Sequence, residues 1–418
     1  FIILSMENKL QDSTRYSGWR YTFVSLGNRD FRLLWFGMVC MMGGFQMQGV
    51  AQNFLVYEIT GSAKILGLVS GGWAFPMLCL ALFGGAIADR MDRKPIIQIS
   101  QGISVIISLS VAVSILTGTV TWVYLLVASA LQGTMFAFTG PARQAIIPQL
   151  VGRDLITNSI ALNSAAMSSM SLIAPAIAGV LYAVIGPEGV YFVMGGLWLI
   201  AVTLTTAIHK PPKFAKPPSS DIFRDIKAGL SYVLHDTQIL VLLGVMLVTV
   251  LLSMPFQFLL PVFVKDVYGL ESEAMGLLVS MIGLGSLTGS LIIASRGRSR
   301  RGLLVIIGGF LSAISLMLIA LVPIYWASVF IMVLVGLGNV APMAIITALI
   351  MERSDEQYRG RMMSIVMLMW GLIPLGVLPL GFSVDIFGGR ETVTFMGIAM
   401  FVIFSLILLT QSRLRGIQ

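Results

Sequence analysis

The chain has 418 residues, 57% of them hydrophobic and 11% charged, with a formal charge of +8. Its mean hydropathy is +0.91. Soluble domains carry roughly 25% charged residues, so a water-soluble globular fold is excluded. Nucleic-acid binding is excluded as well, because the cations follow membrane topology instead of forming one basic face.

A bilayer core about 30 Å thick needs about 20 apolar helical residues per crossing. Twelve such segments are expected, at about 32–57, 63–87, 95–117, 121–143, 156–185, 189–208, 238–264, 272–294, 303–322, 325–350, 362–387 and 392–411. The fold class is therefore an all-α membrane protein. Several segments are long enough to imply tilt or kinks. Pro76, Pro175, Pro255, Pro342 and Pro374 lie inside them. With the N-terminus inside, all but three of the 27 Lys and Arg fall on the inner side, the exceptions being Lys64, Lys265 and Arg390. That bias sets orientation and puts both termini on the cytoplasmic face. Phe1–Leu4 is too short to be the apolar core of a signal peptide, so no cleavable signal is expected, and Met6 reads as the initiator.

The expected division is a tail (1–30), an N-terminal six-helix half (31–208), a linker (209–236), a C-terminal six-helix half (237–411) and a second tail (412–418). The linker opens with Pro211, Pro212, Pro217 and Pro218 among three lysines. Ile222, Ile226, Leu230 and Leu234 follow at intervals of four, the pattern of an amphipathic helix on the inner membrane surface. The halves echo each other at Pro141 and Pro342 and at Gly186 and Gly388.

The turn Gly85–Lys94 packs three cations and two carboxylates between two apolar spans. It resembles the elbow motif G-x-x-x-D-R-x-G-R-R/K of the Major Facilitator Superfamily at Gly85, Asp89, Arg90, Arg93 and Lys94, with Asp92 at the second glycine. The Asp variant resembles the branch of macrolide and enterobactin-type siderophore exporters, as do Gly140–Pro148 and Arg359–Ser364. The resemblance implies two six-helix halves rocking about a central site. It also implies a latch in which Asp89 and its neighbours hold the cytoplasmic side closed, with Arg359 and Arg361 as the facing partners. The plainer reading of Arg93 and Lys94 is positive-inside anchoring. Ala174, Pro175 and Gly179 resemble the fifth-helix motif of drug antiporters, although small residues also serve ordinary helix packing. A sister branch carries an arginine three residues before the Gln-Gly pair of the fourth helix. Here Ser129 stands in that place before Gln132-Gly133, a departure from that branch's pattern for proton coupling.

No carboxylate falls in mid-membrane. Proton carriers, if protons drive the cycle, are expected near helix ends, with Glu58, Asp266 and Asp385 as candidates; a solvated loop carboxylate is the plainer reading of each. The substrate path is read from polar stripes. Met42, Gln46, Gly49, Asn53 and Tyr57 share one face of the first helix, and Gln132, Phe136, Thr139 and Arg143 share one face of the fourth. Asn163 and Asn339 add amides from the fifth and tenth. Facing lipid would cost such groups several kcal/mol, so they point inward, either to a cavity or to another helix. Arg143, near the inner end, reads equally as a snorkelling brace or an anion site.

Gly283–Gly289 lacks the spacing and the strand of a nucleotide loop, and no phosphate-binding loop, catalytic constellation, cofactor or metal cluster is read from the chain. The expectation is a monomeric inner-membrane transporter, not an enzyme, that exports an amphipathic drug-like or siderophore-like molecule, with membrane lipid and possible coupling protons as its other partners. A transporter of a physiological lipid or metabolite, and a non-transporting receptor or scaffold, remain the alternatives.

Overall fold

The computed structural model describes residues 22–152, 155–209, 231–296, 300–355 and 358–411, with the side chains at 81–83, 85, 86, 88–90, 359 and 360 outside the description. The described residues are almost all helical, without strands. Eleven helices are long and apolar enough to cross a membrane. They are α1 (Arg29–Thr60), α2 (Ala63–Arg90), α3 (Arg93–Leu116), α4 (Trp122–Leu150), α5 (Ile156–Thr206), α6 (Thr237–Val267), α7 (Ser272–Arg296), α8 (Arg301–Leu321), α9 (Tyr325–Arg353), α10 (Arg361–Phe387) and α11 (Gly389–Thr410). Their ends are capped as the sequence dictates. Asn28 accepts from Asp30 N and Phe31 N, Thr121 from Tyr124 N, and Asp236 from Gln238 N and Ile239 N.

The expected spans 156–185 and 189–208 fall within the single 51-residue helix α5. At 1.5 Å per residue it would be about 76 Å long, more than twice the bilayer core. Its continuity is broken at Gly186, whose φ of 75° and ψ of 169° are non-helical. Only glycine takes that conformation readily, and Pro187 then starts the next helical run without needing its missing N–H. Gly388, with φ 93° and ψ 160°, divides α10 from α11 in the same way. α6 is irregular in its middle. Two π-helical turns, Thr249–Ser253 and Phe263–Val267, flank a 3-10 turn at Met254–Leu259 containing Pro255. Such departures are admitted in a membrane where they are buried in protein, and Phe256, Leu259 and Phe263 are fully buried.

Helices before and after the linker pack mainly within their own sets: α1 and α3 on α5, α2 on α4, α7 and α8 on α9, α8 on α11. Two packings join the sets, α2 against α10 and α5 against α7, with a lesser one of α1 on α6 and α7. The α5–α7 crossing depends on small residues. A Cβ on Gly276 would lie 2.5 Å from the Pro175 carbonyl oxygen and 3.0 Å from Gly179 Cα. Backbones this close are the means by which helices associate in lipid, where apolar burial gives little drive.

The linker residues 210–230, and with them most of the expected amphipathic helix, lie outside the described residues. His209, at the linker's start, sits 3.0 Å from Asp30.

Candidate functional site

Two regions gather polar side chains: one end of the bundle, where α1 turns into α2, and the interior of the N-terminal helices.

At the α1–α2 end, the two helix sets are bonded to each other by side chains. Tyr57 donates its hydroxyl to Asp266. Tyr182 donates to Glu58 at 2.6 Å, and Lys265 lies 3.7 Å from Glu58 on its other side. Lys265 also stands over the Phe54 ring at 4.9 Å, a cation–π contact. Asp385 accepts from Ser62 Oγ (3.0 Å), Ala63 N (3.0 Å) and Lys64 N (3.3 Å). Those N–H groups are the first, unbonded donors of α2, so Asp385 of α10 caps a helix in the other set, where the helix dipole favours an anion. Ser272 Oγ donates to the Gly179 carbonyl (3.1 Å), and Ala176 N to Ser280 Oγ (2.9 Å). The structure therefore brings Glu58, Asp266, Asp385 and Tyr57 into one region, together with Ala174, Pro175 and Gly179 on the adjoining α5–α7 crossing.

At the opposite, basic end, Arg93 Nη1 donates to the Ala145 carbonyl at 2.7 Å. Lys94 Nζ donates to those of Thr206 and Ile208 at 2.9 and 2.6 Å. These bonds tie α3 to its own set. Gly85, Asp89 and Arg90 belong to the last turns of α2 and Arg359 to the helical start before α10; their side chains lie outside the described residues. Arg361 stands over the Tyr358 ring at 5.2 Å, and Tyr358 stacks on Tyr232 at 4.4 Å.

In the interior, Gln132, Thr139 and Arg143 are buried on α4. Phe136 stacks on Phe45 at 5.1 Å and meets Trp73 edge-on at 5.6 Å. Met41, Ser104, Gln132, Phe136, Thr139 and Trp198 line a cavity of about 10 Å³ between α1, α3, α4 and α5. Asn53 accepts from Ser70 Oγ at 2.9 Å, which spends its carbonyl on α1–α2 packing. Asn339 accepts from Ser253 Oγ (2.6 Å) and Ser312 Oγ (3.1 Å), binding α9 to α6 and α8. Gln46 and Asn163 are half-buried. The structure thus brings Gln132, Phe136 and Thr139 together and places Asn53 and Asn339 in inter-helix hydrogen bonds. Sequence reading missed Gln48 and Gln52, which bond at 3.1 Å, Gln101, which accepts from Thr205 at 3.1 Å, and the indoles of Trp73 and Trp198. An amide inside an apolar helix was the available signal for the three glutamines. No metal-binding group of His, Cys, Asp and Glu occurs among the described residues.

A many-spanning bundle of two helix sets, joined to each other by side chains at one end, is the architecture of a membrane carrier. The family model of the Major Facilitator Superfamily matches residues 34–377, and the chain belongs to that superfamily. It is 26% identical over 374 residues to the Staphyloferrin A transporter of Staphylococcus aureus, covering 84% of this chain and 88% of that protein. It is 24% identical over 379 residues to Macrolide efflux protein A of Streptococcus pyogenes, covering 87% and 89%. Enterobactin exporter EntS of Salmonella typhi is 26% identical over 344 residues, covering 79% and 80%. Among solved structures, a bacterial homolog of the human lysosomal transporter Spinster, inward-facing and unoccupied, superposes with a TM-score of 0.75 at 14% identity over 96% of this chain and 98% of that one. The chain is a multi-pass membrane transporter of this superfamily and not an enzyme.

Proposed function

We propose that the chain exports an amphipathic small molecule, siderophore-like or drug-like, from the bacterial cytoplasm by alternating access, as a monomer with both termini inside. The observation that carries this reading is the joining of the two helix sets at the α1–α2 end, through Asp385, Asp266 and Glu58. Side-chain contacts between two helix sets at one end are what a rocking carrier makes in one state and breaks in the other. The exporter direction rests on the names of two relatives, a macrolide efflux protein and an enterobactin exporter, and the cargo class on these and the Staphyloferrin A transporter. Splitting α5 at Gly186, as Gly388 splits α10 from α11, gives twelve spans in two six-helix halves, with the joined end outside.

Proton antiport is the coupling we assign, with Glu58, Asp266 and Asp385 as the carboxylates an outside proton meets first. The elbow at the basic end is the complementary latch. Asp89→Asn removes its anion, and transport in proteoliposomes is expected to fall while membrane insertion and folding stay intact. Equal transport by variant and wild type sinks the latch.

The reading as a whole is tested by expressing the chain in an efflux-deficient bacterium, with and without a protonophore. Susceptibility to macrolides and release of siderophores are the readouts. The expected result is protonophore-sensitive resistance or release. No change in either would remove the exporter reading, and a protonophore-insensitive effect would remove proton coupling.

A further inference from the structure

Arg143 is a buried guanidinium inside a spanning helix, 6% exposed. Its Nη2 donates to the Leu34 carbonyl at 2.7 Å, and its Nη1 lies 3.9 Å from Met41 Sδ. No carboxylate among the described residues is within ion-pair distance of it. Buried charges are otherwise paired, because an uncompensated one loses its hydration without return. A snorkelling arginine would carry its head to water, and this one does not.

Beside it lies a second anomaly. Gln132 is 3% exposed, and neither its Nε2 nor its Oε1 has a hydrogen-bond partner. Trp198 also lines the cavity, and its Nε1, close to Gly44, is without a partner too, as is Ser129 Oγ a turn before Gln132. Native interiors leave few such groups unpaired, and those that remain call for an explanation. The cavity of about 10 Å³ holds at most one water, too little for four orphaned groups.

The two anomalies share one face of α4. Gln132, Thr139 and Arg143 are spaced by seven and four, and side chains on a helix lean toward its N-terminus. That lean sets Arg143 on the Thr139 side of its own Cα, with its head on the Leu34 carbonyl and Met41 of α1. Met41 both lines the cavity and touches Arg143, so its flexible thioether links the two.

Resting on the exporter reading, we infer that this pocket is a recognition subsite for an oxyanion, a carboxylate or its equivalent, on the transported molecule. Arg143 supplies the charge, and Gln132 Nε2, Trp198 Nε1 and the Thr139 hydroxyl supply converging donors. Met41 swings aside to join them, and Gln132 Oε1 is left for an O–H or N–H beside the anion. The uncompensated cation is then a group held ready for cargo and not a structural brace.

The test uses the purified full chain in nanodiscs with two matched fluorescent probes, 11-(dansylamino)undecanoic acid and its methyl ester. Wild type is expected to bind the acid at least tenfold more tightly than the ester. Arg143→Gln brings the ratio to about one with ester affinity unchanged, and Gln132→Leu lowers it severalfold. Without probe, Arg143→Gln is expected to melt no lower than wild type, since a lone buried charge has been removed; a brace would melt lower. Equal binding of acid and ester by wild type, no binding of the acid, or an unchanged ratio in Arg143→Gln overturns the subsite. Should Arg143→Gln not fold, an unchanged ratio in Gln132→Leu does so. Equilibrium binding needs no transport, so failure of the efflux assay with the ratio intact strikes the exporter reading alone.

Discussion

Gly276→Val is expected to reach the membrane in normal amount and to transport at about a hundredth of the wild-type rate. The new Cβ would sit 2.5 Å from the Pro175 oxygen and 3.0 Å from Gly179 Cα. Both are backbone atoms, which cannot turn aside as a side chain can. Overpacking costs roughly 1–3 kcal/mol and occasionally more, and a clash against backbone belongs at the upper end. About 3 kcal/mol corresponds to roughly a hundredfold change in an equilibrium. That shift empties the state in which α5 meets α7, and a carrier deprived of one state cannot complete a cycle. Efflux from proteoliposomes measures it. A rate within twofold of wild type would show that α5 and α7 need not close on each other.

The second large effect is at the α1–α2 end. Tyr57→Phe leaves Asp266 without the hydroxyl that Tyr57 donates from a nearly buried position. Hydrogen bonds to charged groups contribute about 1.5–3 kcal/mol, so about 2 kcal/mol is lost from the joined state. If the bond is absent in the alternate state, the balance moves roughly thirtyfold toward the parted conformation, because only a differential interaction shifts an equilibrium. Asp385→Ala removes an exposed cap worth about 1 kcal/mol, a shift of roughly fivefold. Spin labels at Thr60 and Ile386, in a background lacking Cys40 and Cys79, report the two populations as distances. Unchanged distance distributions in both variants would mean these contacts decorate the end and do not hold it.

Much of the architecture is legible in the chain because a bilayer admits few solutions. The helix edges follow from hydropathy and caps, since each segment must satisfy its own backbone in lipid. The break in α5 is written in Gly186-Pro187, a residue free to adopt positive φ followed by one suited to start a helix. The cross-set contacts are not legible. Asp385 caps Ala63 and Lys64 across more than 320 positions, and nothing local to Asp385 distinguishes it from a solvated loop carboxylate. The interior polar groups are half legible. Periodicity places Asn53 and Gln132 inside the protein, and the cost of an amide facing lipid does the same for Asn339, yet only packing tells a bonded amide from an orphaned one. Asn53 meets Ser70 and Asn339 meets two serines, whereas Gln132 meets no partner. Gln48, Gln52 and Gln101 escaped because the stripe argument follows one face at a time. The Asp89 elbow carries its meaning by resemblance, and its facing partner is a matter for the Asp89→Asn experiment.

The most direct test of the central claim is transport by the purified chain alone. Proteoliposomes containing it are loaded with a fluorescent macrolide derivative, and an inward or outward proton gradient is imposed. Alternating-access antiport predicts movement of the probe against its own gradient, driven by protons moving the other way and abolished by collapsing the gradient. No movement beyond that of protein-free liposomes, across a panel of macrolide and siderophore probes, would contradict the account.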